Sequence, residues 1–310
     1  MKRPPPPDDD RRRRWKFGQN FLVDESVIRQ IAEDAAPRKT DWVIEIGPGQ
    51  GAITRRLVPE CAKLTAIEID PKWVEHLRGR DWGPLEVVQA DATRVDVEAL
   101  LAREPGKKPL VVGNLPYNRA APILFRFLPH IHRFKSMQIM VQYEVAKRIC
   151  AKPHSRDFGF LTVFVRTHCE PEFLHKIGQD SFRPRPKVLS ATVRLNPLPA
   201  PKIEDPLFLR FVEIAFSQKR KKLANSMTGF YRREKVAEAL EALKDLSDDP
   251  EEHRVNADSR AEDLSVDQFV ELFKRLGPPP GVNPKKEIRP EEAPGEEDEE
   301  GDAEDDAEER

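Results

Sequence analysis

The residues with the most chemistry in this 310-residue chain are Asn114-Leu115-Pro116-Tyr117, which directly follow the apolar run Leu110-Val111-Val112 and Gly113. An amide, a rigid imino acid and an aromatic ring at the end of a buried strand would stand at the carboxyl edge of a sheet, where open α/β sheets bind ligands. Pro116 fixes its own φ and biases Leu115 towards an extended conformation. The Asn114 side-chain amide and the Leu115 carbonyl can then face one small target, with Tyr117 as a stacking surface. Two hydrogen-bond acceptors beside an aromatic plane suit an exocyclic amino group on a flat heterocycle. Asn-x-Pro-Tyr also makes ordinary turns, so the reading depends on what else the chain brings to the same edge.

A second constellation is Glu45-Ile46-Gly47-Pro48-Gly49-Gln50-Gly51, set between an apolar run and a helical pattern. Glycines at a strand-to-helix turn allow tight bending and close approach of a ligand to the backbone. Glu68 follows Gly51 by 17 residues, at a second strand end where a carboxylate can accept both ribose hydroxyls. Asp91 ends a third apolar run, where its carboxylate can receive an adenine amino group. Ile69 and Ala92, the next residues, belong to the same candidate set. Either acid alone reads as a solvated loop residue; in this order they form a nucleoside-shaped set. A Gly-Lys-Ser/Thr phosphate loop is absent, and the third glycine falls one residue short of dinucleotide spacing. The run instead resembles the S-adenosylmethionine (SAM) loop of class I methyltransferases, which would put Glu45 near the cationic methionine end. Asn114 to Tyr117 then resembles the Asn/Asp-Pro-Pro-Tyr-type motif of amino-methyltransferases that act on nucleobases and glutamine.

These groups need a scaffold. Short apolar runs at 42–46, 64–69, 85–88, 110–113 and 137–141 alternate with helical patterns, the signature of βαβ units around a parallel sheet. Asp24 is a candidate N-cap for a helix carrying Val27, Ile28, Ile31 and Ala35, and Pro71 opens another. The stretch 187–195 reads as a late strand, whereas 158–169 fits helix or strand. Pro197, Pro199, Pro201 and Pro206 mark a break, after which 208–216, 236–243 and 266–276 show helical periodicity only. The expected fold class is α/β, a Rossmann-like class I methyltransferase sheet at 15–199 with a small all-helical domain at 200–277. Residues 1–14 and 278–310 read as a disordered Pro/Arg-rich arm and a disordered acidic tail.

Composition supports that division. Hydrophobic content of 38% against 34% charged residues is too polar for a chain folded throughout. The formal charge of −2 conceals −12 on residues 291–310 and +10 on the remainder, so the folded part suits a polyanionic partner. Cys61, Cys150 and Cys169 lie far apart without metal or disulfide spacing and read as core thiols of a cytoplasmic protein. The scattered histidines lack metal-ligand spacing, so no metal is expected. No apolar run approaches the ~20 residues of a membrane span.

Five motifs occur in one order: Gln19-Asn20-Phe21-Leu22, Glu45 to Gly51, Glu68-Ile69-Asp70, Gly113 to Tyr117, and Phe182-Arg183-Pro184-Arg185-Pro186-Lys187. Together they resemble the rRNA adenine N6,N6-dimethyltransferases from about Trp15 to Gly277, including 216–225 and 260–265. The resemblance implies SAM as cofactor, held by Gln19, Asn20, Leu22, Glu45, Gly47, Gly49, Gly51, Glu68, Ile69, Asp91, Ala92 and Asn114. It also implies dimethylation of two adjacent adenosines in a hairpin loop near the 3′ end of small-subunit rRNA, during assembly of the small ribosomal particle. A large-subunit rRNA methylase shares most of these motifs; Leu115 and the 260–265 segment favour the small subunit. Tyr143 departs from the pattern, where relatives often carry Lys. A monomer is expected.

The reacting set is then Asn114, Leu115, Pro116, Tyr117 and Phe182. Phe182 alone reads as a core residue, but its place in a Pro-stiffened basic loop makes it a second stacking face opposite Tyr117. RNA grip is expected from Arg183, Arg185 and Lys187 beside the pocket, and from Lys219, Arg220, Lys221, Lys222, Arg232 and Arg233 in the helical domain.

Overall fold

A computed structural model describes residues 20–243 and 255–282. Gln19, the whole Pro/Arg-rich arm and the acidic stretch from 283 onwards lie outside the described residues. The chain begins with a short strand β1 (Phe21–Leu22) and helix α1 (Glu25–Ala35). Asp24 caps α1 as its spacing predicts, its Oδ1 accepting from the Ser26 amide at 3.0 Å, and Ile28 and Ile31 turn inward. The alternating unit follows: β2 (Trp42–Ile46), α2 (Thr54–Leu57), β3 (Lys63–Glu68), α3 (Pro71–Arg78), β4 (Leu85–Gln89), α4 (Val97–Leu101), β5 (Leu110–Asn114), α5 (Ala120–Phe127), β6 (Ser136–Gln142) and α6 (Tyr143–Cys150). Helix α7 (Phe160–His168) leads into β7 (Cys169–Ile177), then β8 (Phe182–Arg183) and β9 (Ser190–Pro197).

Seven strands form one sheet in the order β4-β3-β2-β5-β6-β9-β7, the five from β4 to β6 parallel and β9 antiparallel to both its neighbours. Strand β2 is buried at every residue, as a strand covered on both faces must be. Its side chains alternate. Trp42, Ile44 and Ile46 join Phe127, Phe134 and Val165 in one core layer, while Val43 joins Leu57, Leu64 and Phe182 in the other. The chain leaves β2 towards β3 on one side and returns to β5 on the other. The crevice at their carboxyl ends is therefore the topological switch point of the sheet.

The late strand begins at Ser190, three residues beyond its expected start, because Lys187 and Val188 are exposed and still belong to the Pro-rich turn. The ambiguous stretch resolves as helix α7. Strand β7 behind it carries Pro171, Glu170 and Glu172, which an edge strand tolerates and which mask its pattern.

Beyond the prolines come α8 (Phe208–Phe216), α9 (Leu223–Ser226), α10 (Arg233–Glu241) and α11 (Val266–Leu276). They enclose a third core around Phe208, Phe211, Phe269 and Phe273, which also takes in Phe158, Phe160 and Val163 from the chain around α7. Ser265 and Gln268 cap α11 reciprocally, and Gly277 at φ +77° stops it.

Candidate active site

The glycine turn after β2 lies against the end of β3. Gly47 (φ +68°), Gly49 (φ +53°) and Gly51 (φ +82°) hold the left-handed conformations that such a turn requires. Gly51 has a steric reason as well, since a Cβ there would sit 2.5 Å from the Trp82 ring. Glu68 ties the turn down: Oε2 accepts from the Gly49 amide and Oε1 from the Asp70 amide, both at 2.9 Å. Burial raises the Glu68 carboxyl above its ordinary value, and these backbone donors offset part of the rise.

Glu45, one residue before the end of β2, is 1% exposed. Burial pushes its carboxyl up to about 7; the Thr54 amide and hydroxyl ease this only partly, and the Glu68 charge adds to it. Its Oε2 has no hydrogen-bond partner. A buried carboxylate oxygen without a donor is costly alone and well suited to a cationic ligand group.

Asp91 stands after β4. Its Oδ1 accepts from the Thr93 amide at 2.9 Å and hydroxyl at 2.7 Å, and its Oδ2 pairs with Arg119 at 3.2 Å. Burial works against the ionised form, but the Thr93 bonds and the Arg119 and Arg94 charges outweigh it and keep the carboxyl below its usual range.

Asn114 closes β5. Its Nδ2 donates to the Asn20 carbonyl at 3.3 Å, which commits the NH2 end of the amide and leaves Oδ1 as the accepting end. Leu115 buries its side chain and anchors its amide on the Met140 carbonyl at 3.0 Å. Gly113 makes this possible, because a Cβ there would come within 2.9 Å of the Leu115 side chain and 3.1 Å of the Ile46 carbonyl. The Tyr117 hydroxyl bonds the Ser190 hydroxyl at 2.6 Å, fixing the ring to the first residue of β9.

These groups line one cleft of about 1010 Å³ counted out to open solvent, room for a nucleoside with an extended arm. Asn20, Leu22, Glu45, Gly47, Gly49, Glu68, Ile69, Asp91, Ala92, Asn114, Leu115, Pro116 and Tyr117 all face it. Gly51 stands behind the turn against Trp82, and Gln19 lies outside the described residues. Phe182 is a correction: it is wholly buried in the core layer with Leu22, Ile28 and Ile177, and presents no ring face to the cleft. Its strand β8 pairs with β1, Leu22 opposite Phe182, which turns the ring inward. Arg119 and Phe21 are cleft residues that motif reading passed over. Phe21 meets Trp73 edge-on with ring centres 5.2 Å apart and comes within 3.1 Å of a Cβ built on Gly49. A cation two residues after Tyr117 was the available signal for Arg119.

The basic residues divide. Arg185 pairs with Asp180 and Gln179, and Arg183 donates to the Phe182 carbonyl at 2.7 Å, while Lys187 is exposed. Lys219 donates to the Phe158 carbonyl at 2.8 Å and pairs with Glu262, and Lys222 pairs with Asp258 at 2.6 Å. Arg220, Lys221, Arg232 and Arg233 are exposed, with no ion pair among the described residues.

The sequence profile of the family described as "Ribosomal RNA adenine dimethylase" matches residues 10–277. The chain belongs to that family. Proteins named "Ribosomal RNA small subunit methyltransferase A" are similar over nearly their full length. The one from Chlorobium phaeobacteroides is 37% identical over 269 residues, 85% of this chain and 91% of the relative. The one from Acinetobacter baylyi is 37% identical over 271 residues, 86% and 93% of the two chains. Among solved structures, the 23S rRNA methyltransferase ErmE is 29% identical with a TM-score of 0.61, covering 83% of this chain and 99% of its own. A dimethyladenosine transferase from Plasmodium falciparum has a TM-score of 0.69 at 24% identity, covering 84% and 99%, and supports the fold. This dimethylase is accordingly a SAM-dependent enzyme of ribosomal RNA. The cleft fits that cofactor: the buried Glu45 oxygen without a donor suits a cationic group, and the carboxylates of Glu68 and Asp91 stand at the two adjoining strand ends.

Proposed function

We propose that this dimethylase modifies two adjacent adenosines in a hairpin loop near the 3′ end of small-subunit rRNA. In this reading it acts as a monomer in the cytoplasm on the assembling small ribosomal particle. The observation that carries the site assignment is the Asn114 amide, whose NH2 end is committed to the Asn20 carbonyl, in the same cleft lining as Tyr117. The small-subunit assignment is supported by the relatives named for that subunit. Among the described residues no helix is long and apolar enough to cross a membrane.

When bound, SAM supplies a methyl group activated by its sulfonium. Glu45 would face the cationic end, Glu68 would accept from the ribose and Asp91 from the adenine amine, with Asn20, Leu22, Ile69 and Ala92 completing the walls. At the target base the obstacle is the N6 lone pair, which is delocalised into the ring. Asn114 Oδ1 and the Leu115 carbonyl accept its two N–H bonds, favour a pyramidal nitrogen and aim the lone pair. After the first transfer one N–H remains, and one acceptor suffices for the second. The surplus proton is acidic once nitrogen is methylated and leaves to solvent. Burial keeps the Tyr117 phenol above its ordinary value, so it supplies a neutral ring face and not a base. Orientation then provides most of the acceleration, where effective molarities contribute roughly 7–11 kcal/mol. The target must leave its stack, at a cost of a few kcal/mol that is smaller in a loop. Tyr117 offsets about 1–3 kcal/mol of it. The helical part at 200–277 and the 183–187 loop grip the RNA backbone.

Incubation with labelled SAM and, separately, small- and large-subunit rRNA precursors tests the reading. Dimethylated adenosines mapping to one hairpin of the small-subunit precursor are expected. Label confined to the large subunit would instead establish an activity like that in ErmE's name.

A further inference from the structure

The pair between Arg119 and Asp91 is a cleft contact that the methyl transfer does not use. Two of the three donors to Asp91 come from Thr93 and both reach Oδ1, so Oδ2 is the oxygen left for an incoming group. Arg119 now holds that oxygen at 3.2 Å, longer than the 2.7–2.9 Å usual for a charge-assisted bond. Both side chains are partly solvated, 36% exposed for Arg119 and 24% for Asp91, so the pair is weak and can be exchanged. Arg119 belongs to the turn Tyr117–Arg119, two residues after the proposed stacking ring, and its amide is tied to the Pro116 carbonyl at 2.9 Å. One residue thus reaches from the segment that meets the target base to the carboxylate that meets the cofactor's adenine.

We propose that Arg119 is a positioning residue that couples cofactor occupancy to RNA binding, held by Asp91 in the free enzyme and released to an RNA phosphate when the adenine amine takes Asp91 Oδ2. This rests on the reading of the cleft given under Proposed function. Guanidinium does not lose its proton, so once Asp91 is claimed its charge stands in solvent, open to another anion. Asp91 is its one side-chain partner among the described residues; Glu45 is buried at another strand end and Glu68 is engaged by the Gly49 and Asp70 amides. The anion that comes next to Tyr117 is the phosphate of the flipped nucleotide. Two consequences follow from linkage. The free enzyme binds cofactor less tightly than the cleft alone would allow, because the amine must displace a cation. Cofactor then raises RNA affinity, and RNA raises cofactor affinity by the same factor.

The test uses S-adenosylhomocysteine, which carries the same adenine but no transferable methyl, and an RNA hairpin from the 3′ end of small-subunit rRNA. Cofactor affinity is measured by calorimetry and RNA affinity by fluorescence anisotropy, with and without S-adenosylhomocysteine, for the full-length wild type, Arg119→Gln and Arg119→Lys. The wild type should bind RNA about 5- to 10-fold tighter with S-adenosylhomocysteine present, at the lower end of ordinary coupling. Arg119→Gln should bind S-adenosylhomocysteine several-fold tighter than wild type and lose the RNA enhancement, while Arg119→Lys keeps part of it. A merely structural role would weaken cofactor binding in both variants and leave the ratio with and without cofactor unchanged. Unchanged or weaker cofactor binding by Arg119→Gln, or a full enhancement in that variant, overturns the proposal. The underlying reading fails by a different result, a wild-type protein that methylates neither precursor.

Discussion

The two halves of the cleft are built differently. On the cofactor side the carboxylates are wired into the chain that they serve: buried Glu68 holds Gly49 and Asp70, and half-buried Asp91 holds Thr93. On the base side Asn114 is oriented by one bond of 3.3 Å and Tyr117 by one hydroxyl contact, and the neighbouring loop exposes Arg183, Arg185 and Lys187. In the proposed reading the cofactor half is thus preorganised by the fold, whereas the base half supplies one ring face and leaves its other wall to the RNA. The position of Phe182 decides whether that contrast is real.

Phe182 offers the largest expected effect. If it is a core side chain, Phe182→Ala removes about 3–5 kcal/mol of stability through the lost burial and the cavity left behind. Phe182→Leu should then melt a few degrees lower and keep its methylation rate. Denaturant unfolding and initial rates on the hairpin substrate separate the cases. A Leu variant as stable as wild type but more than tenfold slower would make Phe182 the second stacking wall, and the two halves would be equally built.

Asn114→Ala strikes mainly the base side. Loss of one preorganised polar contact to the reacting group typically lowers kcat by about 10²–10³-fold. SAM affinity should fall only a few-fold, because Glu45, Glu68 and Asp91 are untouched. Single-turnover methylation together with calorimetry reads both. A near-wild-type rate would end the mechanism proposed for N6.

The same contrast explains what the sequence made legible. The strands around β2 are covered on both faces and therefore read as short apolar runs, and the acids at their ends could be placed because strand ends converge on the switch point. Strand β7 was not legible, because an edge strand may carry Pro171 and alternate charges and still pair with β9, here with one register shift between Phe173 and His175. The inward turn of Phe182 was not legible either. It follows from the pairing of β1 with β8 across more than 150 residues, which a local motif does not encode. Arg119 was hidden for the same reason, since Asp91 lies 28 residues away in sequence. The lysine cluster looked uniform by type, and only tertiary partners separate Lys219 and Lys222 from Arg220 and Lys221.

Glu45 sharpens the cofactor side through pH. Its carboxyl is raised to about 7 mainly by burial, so in the free protein the neutral form is favoured. The associated stability is fully present below the ordinary carboxylate value and is lost as pH rises through about 7. Binding of a cation runs the other way, because it needs the ionised form. SAM affinity should therefore rise roughly tenfold between pH 6 and pH 8, following the ionised fraction of such a group. In Glu45→Gln the affinity should be lower and flat over that range, and the free protein should no longer lose stability towards pH 8. A wild-type affinity that is flat by calorimetry would show that the cationic end of the cofactor does not meet Glu45.

The smallest effects belong to the exposed cations, and they test whether the RNA half is a surface and not a pocket. Arg220 and Lys221 have no ion pair among the described residues, whereas Lys219 is bonded to the Phe158 carbonyl and Glu262. Each phosphate contact removed should make the slope of log K against log salt shallower by roughly 0.7–0.9. Arg220→Gln and Lys221→Gln should each do this, with a few-fold loss of RNA affinity at moderate salt and unchanged SAM affinity. Lys219→Gln should leave the slope nearly as it is and lower the melting temperature, because its charge is already spent within the fold. Equal slope changes at all three positions would mean that the bonds seen at Lys219 yield to RNA, and the grip would then include the surface around Phe158 and Glu262.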